Sequence, residues 1–127
     1  MGLLGSGPNQ VSTNGDLGNM AFQDSASVRI TNLLLDGSAS FGSSAPTIAS
    51  ATTISPNTAI VFISGTAAIA TITVPTSITG GGQITLIPTG IFTTTTGGNI
   101  ALASTAVVSK SMIMTYDATT TKWYPSY

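Results

Sequence analysis

The feature that most constrains this chain is a succession of short runs rich in Thr, Ile and Val, separated by Gly, Pro and Asn turn signals about every ten residues. None of the runs has the 3.6-residue period of an amphipathic helix. β-Branched side chains suit the pleated, half-buried surface of a sheet. The pattern therefore predicts an all-β fold. The runs are residues 47–54, 59–64, 68–74, 83–87, 91–96, 99–103, 105–108, 111–116 and 122–124.

Two of these runs predict which side chains are buried. Residues 59–64, AIVFIS, are almost continuously apolar, which is typical of a strand buried on both faces. Residues 111–116 alternate, so Met114 is expected on one face of the strand and Ile113 on the other.

The spacing of the runs also predicts an architecture. Short strands without helical periodicity are typical of sandwiches and barrels, so we expect an antiparallel β-sandwich or a jelly-roll-like barrel. Gly97-Gly98 is expected to close a tight hairpin between residues 91–96 and 99–103. Thr-x-Thr recurs at unequal intervals with different flanks, which argues against a regular solenoid.

Composition divides the chain into three zones. Residues 1–36 are polar and turn-rich and hold four of the seven charges, residues 37–46 are a Gly/Ser linker, and residues 47–127 hold the strand signals. The first zone has too few apolar residues to bury a core of its own. We therefore expect an extended N-terminal arm for anchoring, a linker and a β-sandwich body.

Charge is scarce and unevenly placed. Charged residues make up 6% of the chain, against about 25% in an average soluble protein. There is none between Gly37 and Ser109. Either Thr and Ser hydroxyls solvate this surface, or other copies or a larger assembly cover it. We favour assembly, because so few surface charges promote self-association.

The composition also argues against several classes of function. His, Cys and Glu are absent, so a Ser nucleophile would have only Lys as its base, and the few Asp residues form no calcium-loop pattern. Asp117 is expected to cap its own turn. We predict that the protein is not an enzyme and has no catalytic residue, metal site or cofactor. It has no basic patch for nucleic acid and no run of about 18 apolar residues for membrane insertion.

Aromatic residues cluster near the C-terminal end of the chain. Because Trp and Tyr rings stack well on sugars, Tyr116, Trp123 and Tyr124 could form a distal aromatic patch that binds a host glycan. The other interpretation, which we favour, is core packing with one anchor at an interface.

Five segments carry a resemblance to viral proteins. Residues 17–24, LGNMAFQD, resemble a segment that recurs in bacteriophage tail-fibre and other virion proteins, before a fibrous or trimeric β region. Residues 82–87 (GQITLI), 98–102 (GNIAL), 114–117 (MTYD) and 123–124 (WY) are similar, in that order, to the β-module that ends many phage fibre and spike proteins.

The resemblance implies a homotrimeric virion protein on the capsid surface or the tail. No long shaft lies between the arm and the body, which favours a capsid decoration or cement protein over a short tail- or head-fibre module that binds a host glycan. A cellular adhesin or ice-binding domain is a third class. The arm would contact the major capsid protein or another virion protein through Leu17, Met20, Phe22, Asp24, Arg29 and Ile30.

Overall fold

The computed structural model describes residues 30–40 and 44–127. Within them the secondary structure consists of ten short strands and one three-residue 3-10 helix. No helix in this part of the chain is long and apolar enough to cross a membrane. The elements are β1 (Thr47–Ala49), β2 (Thr53–Ile54), β3 (Ile60–Ser64), β4 (Ala68–Ile69), β5 (Thr71–Ile72), the 3-10 helix (Thr76–Ile78), β6 (Gly82–Pro88), β7 (Thr93–Thr94), β8 (Ser104–Thr105), β9 (Met112–Asp117) and β10 (Lys122–Pro125).

The chain divides into two compact units, Met1–Ser38 and Ala39–Tyr127. This boundary falls inside the predicted linker. In the described part of the first unit, residues 30–38, the backbone forms no helix or strand, and the three consecutive leucines at 33–35 are exposed. All the described strands belong to the second unit.

The strands of the second unit form three sheets around one core. The five-stranded sheet has the order β1-β3-β6-β9-β10, the three-stranded sheet the order β4-β7-β8, and the two-stranded sheet consists of β2 and β5. Thirteen buried apolar residues, contributed by all three sheets and the loops between them, pack into a single cluster. They are Ile54, Val61, Ile63, Ile69, Ile72, Ile84, Leu86, Phe92, Ile100, Ala106, Met112, Met114 and Trp123.

Successive passes of the chain visit the three sheets in the same order. β3, β4 and β5 make one pass, and β6, β7 and residues 99–100 make the next. Strands from the two passes pair in parallel, with Phe62 opposite Ile87 and Ile69 opposite Thr94, a step of 25 residues in both cases. β1 and β2 pair in the same way with β3 and β5 and form a shorter first turn. We call this arrangement the parallel coil.

A side chain extends the two-stranded sheet to the last turn of the parallel coil. The Oδ1 atom of Asn99 accepts a hydrogen bond from the N–H of Ile72 at 2.9 Å, and its Nδ2 donates to the carbonyl of Ile72 at 2.8 Å. The Asn99 amide therefore takes the place of a main-chain partner for β5. The backbone N–H of Asn99 donates to the carbonyl of Ala70 at 3.1 Å. This bond holds residues 99–100 against the preceding turn of the parallel coil.

Glycines allow the turns of the parallel coil to stack closely. A Cβ atom on Gly98 would overlap the carbonyl oxygen of Ala70, and one on Gly90 would overlap the backbone of Gly65. Gly65 also has a φ of +85°, which a residue with a side chain rarely adopts. Glycine is required at these positions because the backbones of two neighbouring turns are in direct contact there.

Three antiparallel strands complete the second unit. β8 pairs with β7, β9 with β6, and β10 with β9. The turn between β9 and β10 is held by Asp117, whose Oδ2 accepts hydrogen bonds from the N–H of Thr120 at 2.8 Å and from its hydroxyl at 2.7 Å. The prediction that Asp117 caps its own turn is confirmed.

The all-β class is confirmed, but the arrangement of the strands differs from the prediction. Four of the seven strand pairings in the described residues are parallel, so the antiparallel arrangement is wrong for the coil. No sheet within residues 44–127 closes into a barrel, and three sheets surround the core, so the two-layer sandwich is not confirmed. A turn signal marks where a strand ends and carries no information about which strand lies beside it.

The hairpin predicted at Gly97-Gly98 is also wrong. β7 pairs instead with β8, and the residues after Gly98 lie beside Ile72. The glycine pair resembles a hairpin signal because the chain turns sharply there, but the turn leads to a different sheet.

Candidate functional site: the outer face of the five-stranded sheet

Alternation along the five-stranded sheet points one set of side chains into the core and the other set away from it. On β3, Val61 and Ile63 are buried, whereas Ile60, Phe62 and Ser64 are not. We call the outward set the outer face. Its members are Thr47, Ala49, Ile60, Phe62, Ser64, Gln83, Thr85, Ile87, Ile113, Thr115, Asp117, Lys122 and Tyr124.

The strand register arranges these residues in rows. Ile60 lies opposite Thr85, which lies opposite Ile113, and this gives a row across three strands. Ile60 and Ile113 are 42% and 40% exposed, which is high for isoleucines in the middle of a sheet. Together with the partly exposed Phe62 and Ile87, they make the outer face a contiguous apolar and threonine surface.

A second row combines polar and aromatic groups. Gln83 lies opposite Thr115, which lies opposite Tyr124. The Gln83 side-chain amide donates to the Thr115 hydroxyl at 3.2 Å, and the Tyr124 hydroxyl donates to that of Thr120 at 3.1 Å. These polar groups therefore satisfy one another along the surface, while the Tyr124 side chain stays 43% exposed.

The rows contain no charged side chain. Asp117 and Lys122, which face each other in the register, lie at one corner of the sheet. The Lys122 ammonium donates to the carbonyl of Gly98 at 3.1 Å. The hydrogen bonds from the hydroxyl and N–H of Thr120 hold the pKa of Asp117 below its ordinary value. Contact over these two rows would therefore bury no charge, provided that the corner with Asp117 and Lys122 stays in water.

The exposure of this face overturns one expectation. The apolar run at 59–64 predicts a strand buried on both sides, but among the residues that the structure describes only the side with Val61 and Ile63 is buried. The outward residues Ile60 and Phe62 have no covering layer in the described residues. The apolar run indicates that both faces of the strand are suited to burial. It does not indicate whether the same chain or another one covers the second face.

The three aromatic residues of the predicted distal patch do not share one surface. Trp123 is completely buried, and its indole N–H donates to the carbonyl of Ile72 at 3.0 Å. Tyr116 is half-buried and packs against Trp123, with ring centroids 5.1 Å apart. Tyr124 alternates with Trp123 along β10 and points to the outer face. Trp123 therefore belongs to the core, and Tyr124 is the aromatic residue available to a partner or ligand.

Polar residues near Ser109 stabilise a turn outside the outer face. Ser109 has a φ of +67° in a turn, and the neighbouring Lys110 ammonium lies 4.3 Å from the centre of the Tyr127 ring. The Tyr127 hydroxyl donates to the carbonyl of Lys110 at 2.8 Å, which holds the same turn. Within residues 30–40 and 44–127, no cluster of three acidic, His or Cys side chains could hold a metal ion.

Most of the predicted anchoring residues lie outside the described residues. These are Leu17, Met20, Phe22, Asp24 and Arg29, and their role stays a prediction. Ile30 is described, and it is exposed.

A groove of about 720 Å³ borders the outer face. Ile60, Ile78 and Pro75 contribute apolar walls, and Asn57 and Gln83 contribute uncharged amides. Such a lining suits a neutral ligand with hydroxyl groups better than an ionic one.

Comparison with known proteins gives no relative: no protein family, curated protein or solved structure matches this chain.

Proposed function

We propose that this chain is a non-catalytic structural protein of a bacteriophage virion, a capsid decoration or cement protein that stabilises the particle surface. The body assembles with other copies through the outer face of the five-stranded sheet. The viral context rests on the resemblance of residues 17–24 and of the β segments between 82 and 124 to virion proteins. The mode of assembly rests on the geometry of the sheet.

One observation carries the assembly proposal. β3 is apolar on both faces, and residues 30–40 and 44–127 cover only one of them. Ile60 and Ile113 lie on the two strands that flank Thr85, and each exposes about two fifths of its surface to solvent. Covering such an area removes apolar surface from water at roughly 25 cal/mol per Å². The rows of Ile60 and Gln83 are uncharged, so covering them adds no cost of burying charge.

The stoichiometry of this assembly is a homotrimer. Three copies arranged around a three-fold axis bury one outer face each. The arm, with Leu17, Met20, Phe22, Asp24, Arg29 and Ile30, binds the major capsid protein or another virion protein. In this arrangement the body makes the apolar contacts, and most of the charges lie in the arm.

A short tail- or head-fibre module is the second candidate. The observation in its favour is the parallel coil, whose turns stack in register, as in an elongated shaft, and leave the β1 end open to a further turn within the described residues. In this role the exposed Tyr124 or the neutral groove beside Ile60 and Gln83 contacts a host glycan.

Copy number in purified particles tests the function and separates the two candidates. We expect quantitative mass spectrometry, with the major capsid protein as internal standard, to find this chain in a large, fixed ratio to that protein. A count of three or six per particle would instead favour the fibre. Absence of the chain from particles of the phage that encodes it would contradict both candidates.

A further inference from the structure

The two ends of the parallel coil differ in how their backbone groups are paired. At the first turn, the N–H of Phe62 donates to the carbonyl of Pro46 at 2.8 Å, and that of Ser50 donates to the carbonyl of Ser64 at 2.7 Å. In a parallel ladder, alternate residues bond to the same neighbour. The N–H and C=O groups of Thr47 and Ala49 therefore point away from β3, and no described strand pairs with that edge.

The opposite edge of the same sheet is closed. The N–H of Trp123 on β10 donates to the carbonyl of Asn99, and the N–H of Ala101 donates to the carbonyl of Trp123, both at 2.8 Å. β10 also ends at Pro125, which has no N–H to donate, and begins at a lysine. Within the described residues, β1 is thus the edge of this sheet that can accept another strand.

In the part of the chain that the structure describes, β1 lacks the features by which proteins keep an open edge from pairing. Such edges usually carry a lysine or another charge, a bulge or a covering loop. The strand reads Thr-Ile-Ala, its outward residues Thr47 and Ala49 are exposed, and the charge-free segment from Gly37 to Ser109 surrounds it. Two copies can therefore approach at this edge without opposing like charges.

We propose that β1 pairs antiparallel with β1 of a second copy around a two-fold axis at Ile48. In this register Thr47 lies opposite the partner's Ala49, and the two residues exchange both of their outward N–H and C=O groups. Every outward group of the strand is then satisfied. The two five-stranded sheets become continuous, and because the β10 edge is closed, assembly at this edge stops at two copies.

A single introduced cysteine tests the pairing in the full chain, which has no cysteine of its own. At the two-fold axis, Ile48 faces its own counterpart as a non-hydrogen-bonded pair, whose Cα atoms lie about 4.5 Å apart. This distance permits a disulfide. Under mild oxidation, Ile48→Cys should form covalent dimers roughly tenfold or more faster than Val107→Cys, an exposed loop position, because paired thiols have a high effective concentration.

A second pair of variants tests the hydrogen bonds themselves. Ala49→Pro removes an N–H that makes no bond to the described residues, and an edge strand tolerates proline at such a position. Added to Ile48→Cys, it should lower the cross-linking rate to that of Val107→Cys, whereas Ala49→Ser should leave the rate high. Circular dichroism checks that each variant keeps its strands.

Both measurements are made with Ile113→Lys present as well as absent, so that contact through the outer face is separated from pairing at the β1 edge. The proposal predicts rapid cross-linking in both backgrounds. It is overturned if Ile48→Cys cross-links no faster than Val107→Cys, the result expected if a different polypeptide occupies the edge. It is also overturned if Ala49→Pro leaves the rate unchanged.

Discussion

Trp123 donates its indole N–H to the main-chain carbonyl of Ile72, 3.0 Å away, although 51 residues separate the two in the chain. The same carbonyl accepts the side-chain amide of Asn99. One oxygen thus ties β10, the last strand, to the last turn of the parallel coil and to the turn before it. Because Trp123 is completely buried, this hydrogen bond lies in the core that all three sheets share.

Trp123→Phe should lower the free energy of unfolding by about 2 to 3 kcal/mol. The change removes one hydrogen bond and leaves a small cavity, while Asn99 still satisfies the carbonyl of Ile72. Denaturant titration at one fixed protein concentration measures the difference. Tyr124→Phe, which removes an exposed hydroxyl on the outer face, is the control and should cost less than about 0.5 kcal/mol. Equal effects of the two variants would contradict the account.

Gly98→Ala should destabilise the protein by about 1 to 3 kcal/mol or more, because the new methyl group would overlap the carbonyl oxygen of Ala70 and push two turns of the coil apart. Gly97→Ala is the matched control. The nearest atom to its added Cβ is the Thr95 hydroxyl oxygen at 4.0 Å, so we expect little loss. Thermal melts of both variants provide the comparison. If Gly98→Ala unfolds at the same temperature as the wild type, the close contact between Gly98 and Ala70 is contradicted.

Asp117 should make the β9–β10 turn sensitive to acid. The hydrogen bonds from Thr120 lower its pKa in the folded chain, so the stability that the carboxylate adds is fully present above its ordinary pKa of 3.8. That stability is lost as the pH falls through the lower, folded value. Denaturant titrations between about pH 6 and pH 2 should show this loss in the wild type and in Asp36→Asn, and not in Asp117→Asn. If the free energy of unfolding depends on pH in the same way in Asp117→Asn as in the wild type, the stabilising role of the Asp117 carboxylate in this turn is contradicted.

Local features of this fold were predictable from the sequence. Alternation at 111–116 correctly separates the buried Met114 from the exposed Ile113, because a strand places successive side chains on opposite faces whatever lies beside it. The role of Asp117 follows in the same way from the residues next to it. Such features depend on a few neighbouring residues, and the sequence presents them directly.

The pairing of the strands was not predictable in this way. Phe62 and Ile87 pair across 25 residues, and no local pattern distinguishes a parallel partner from an antiparallel one. Gly98 illustrates the difficulty, since it is required by close contact with Ala70 in the previous turn and yet reads as a hairpin residue. The outer face was missed for a related reason, because an apolar run indicates burial without indicating which chain covers it.

Ile113→Lys should weaken self-association at the outer face. The substitution places a charge at the end of the row that runs from Ile60 through Thr85 to Ile113, where a partner would bury it. Leu102→Lys adds the same charge at a side chain that is 55% exposed and lies outside the five-stranded sheet. Sedimentation velocity should show dissociation for Ile113→Lys alone. Equal behaviour of the two variants would remove the outer face as the interface.

The molar mass of the wild-type chain in solution tests the central claim most directly. Size-exclusion chromatography with light scattering, at micromolar concentration, should give three times the 12.7 kDa of one chain, or six times where pairing at the β1 edge also persists. A stable mass of one chain would contradict self-assembly through the outer face. A mass of two chains that Ile113→Lys leaves unchanged would contradict it equally, and would leave β1 as the only contact.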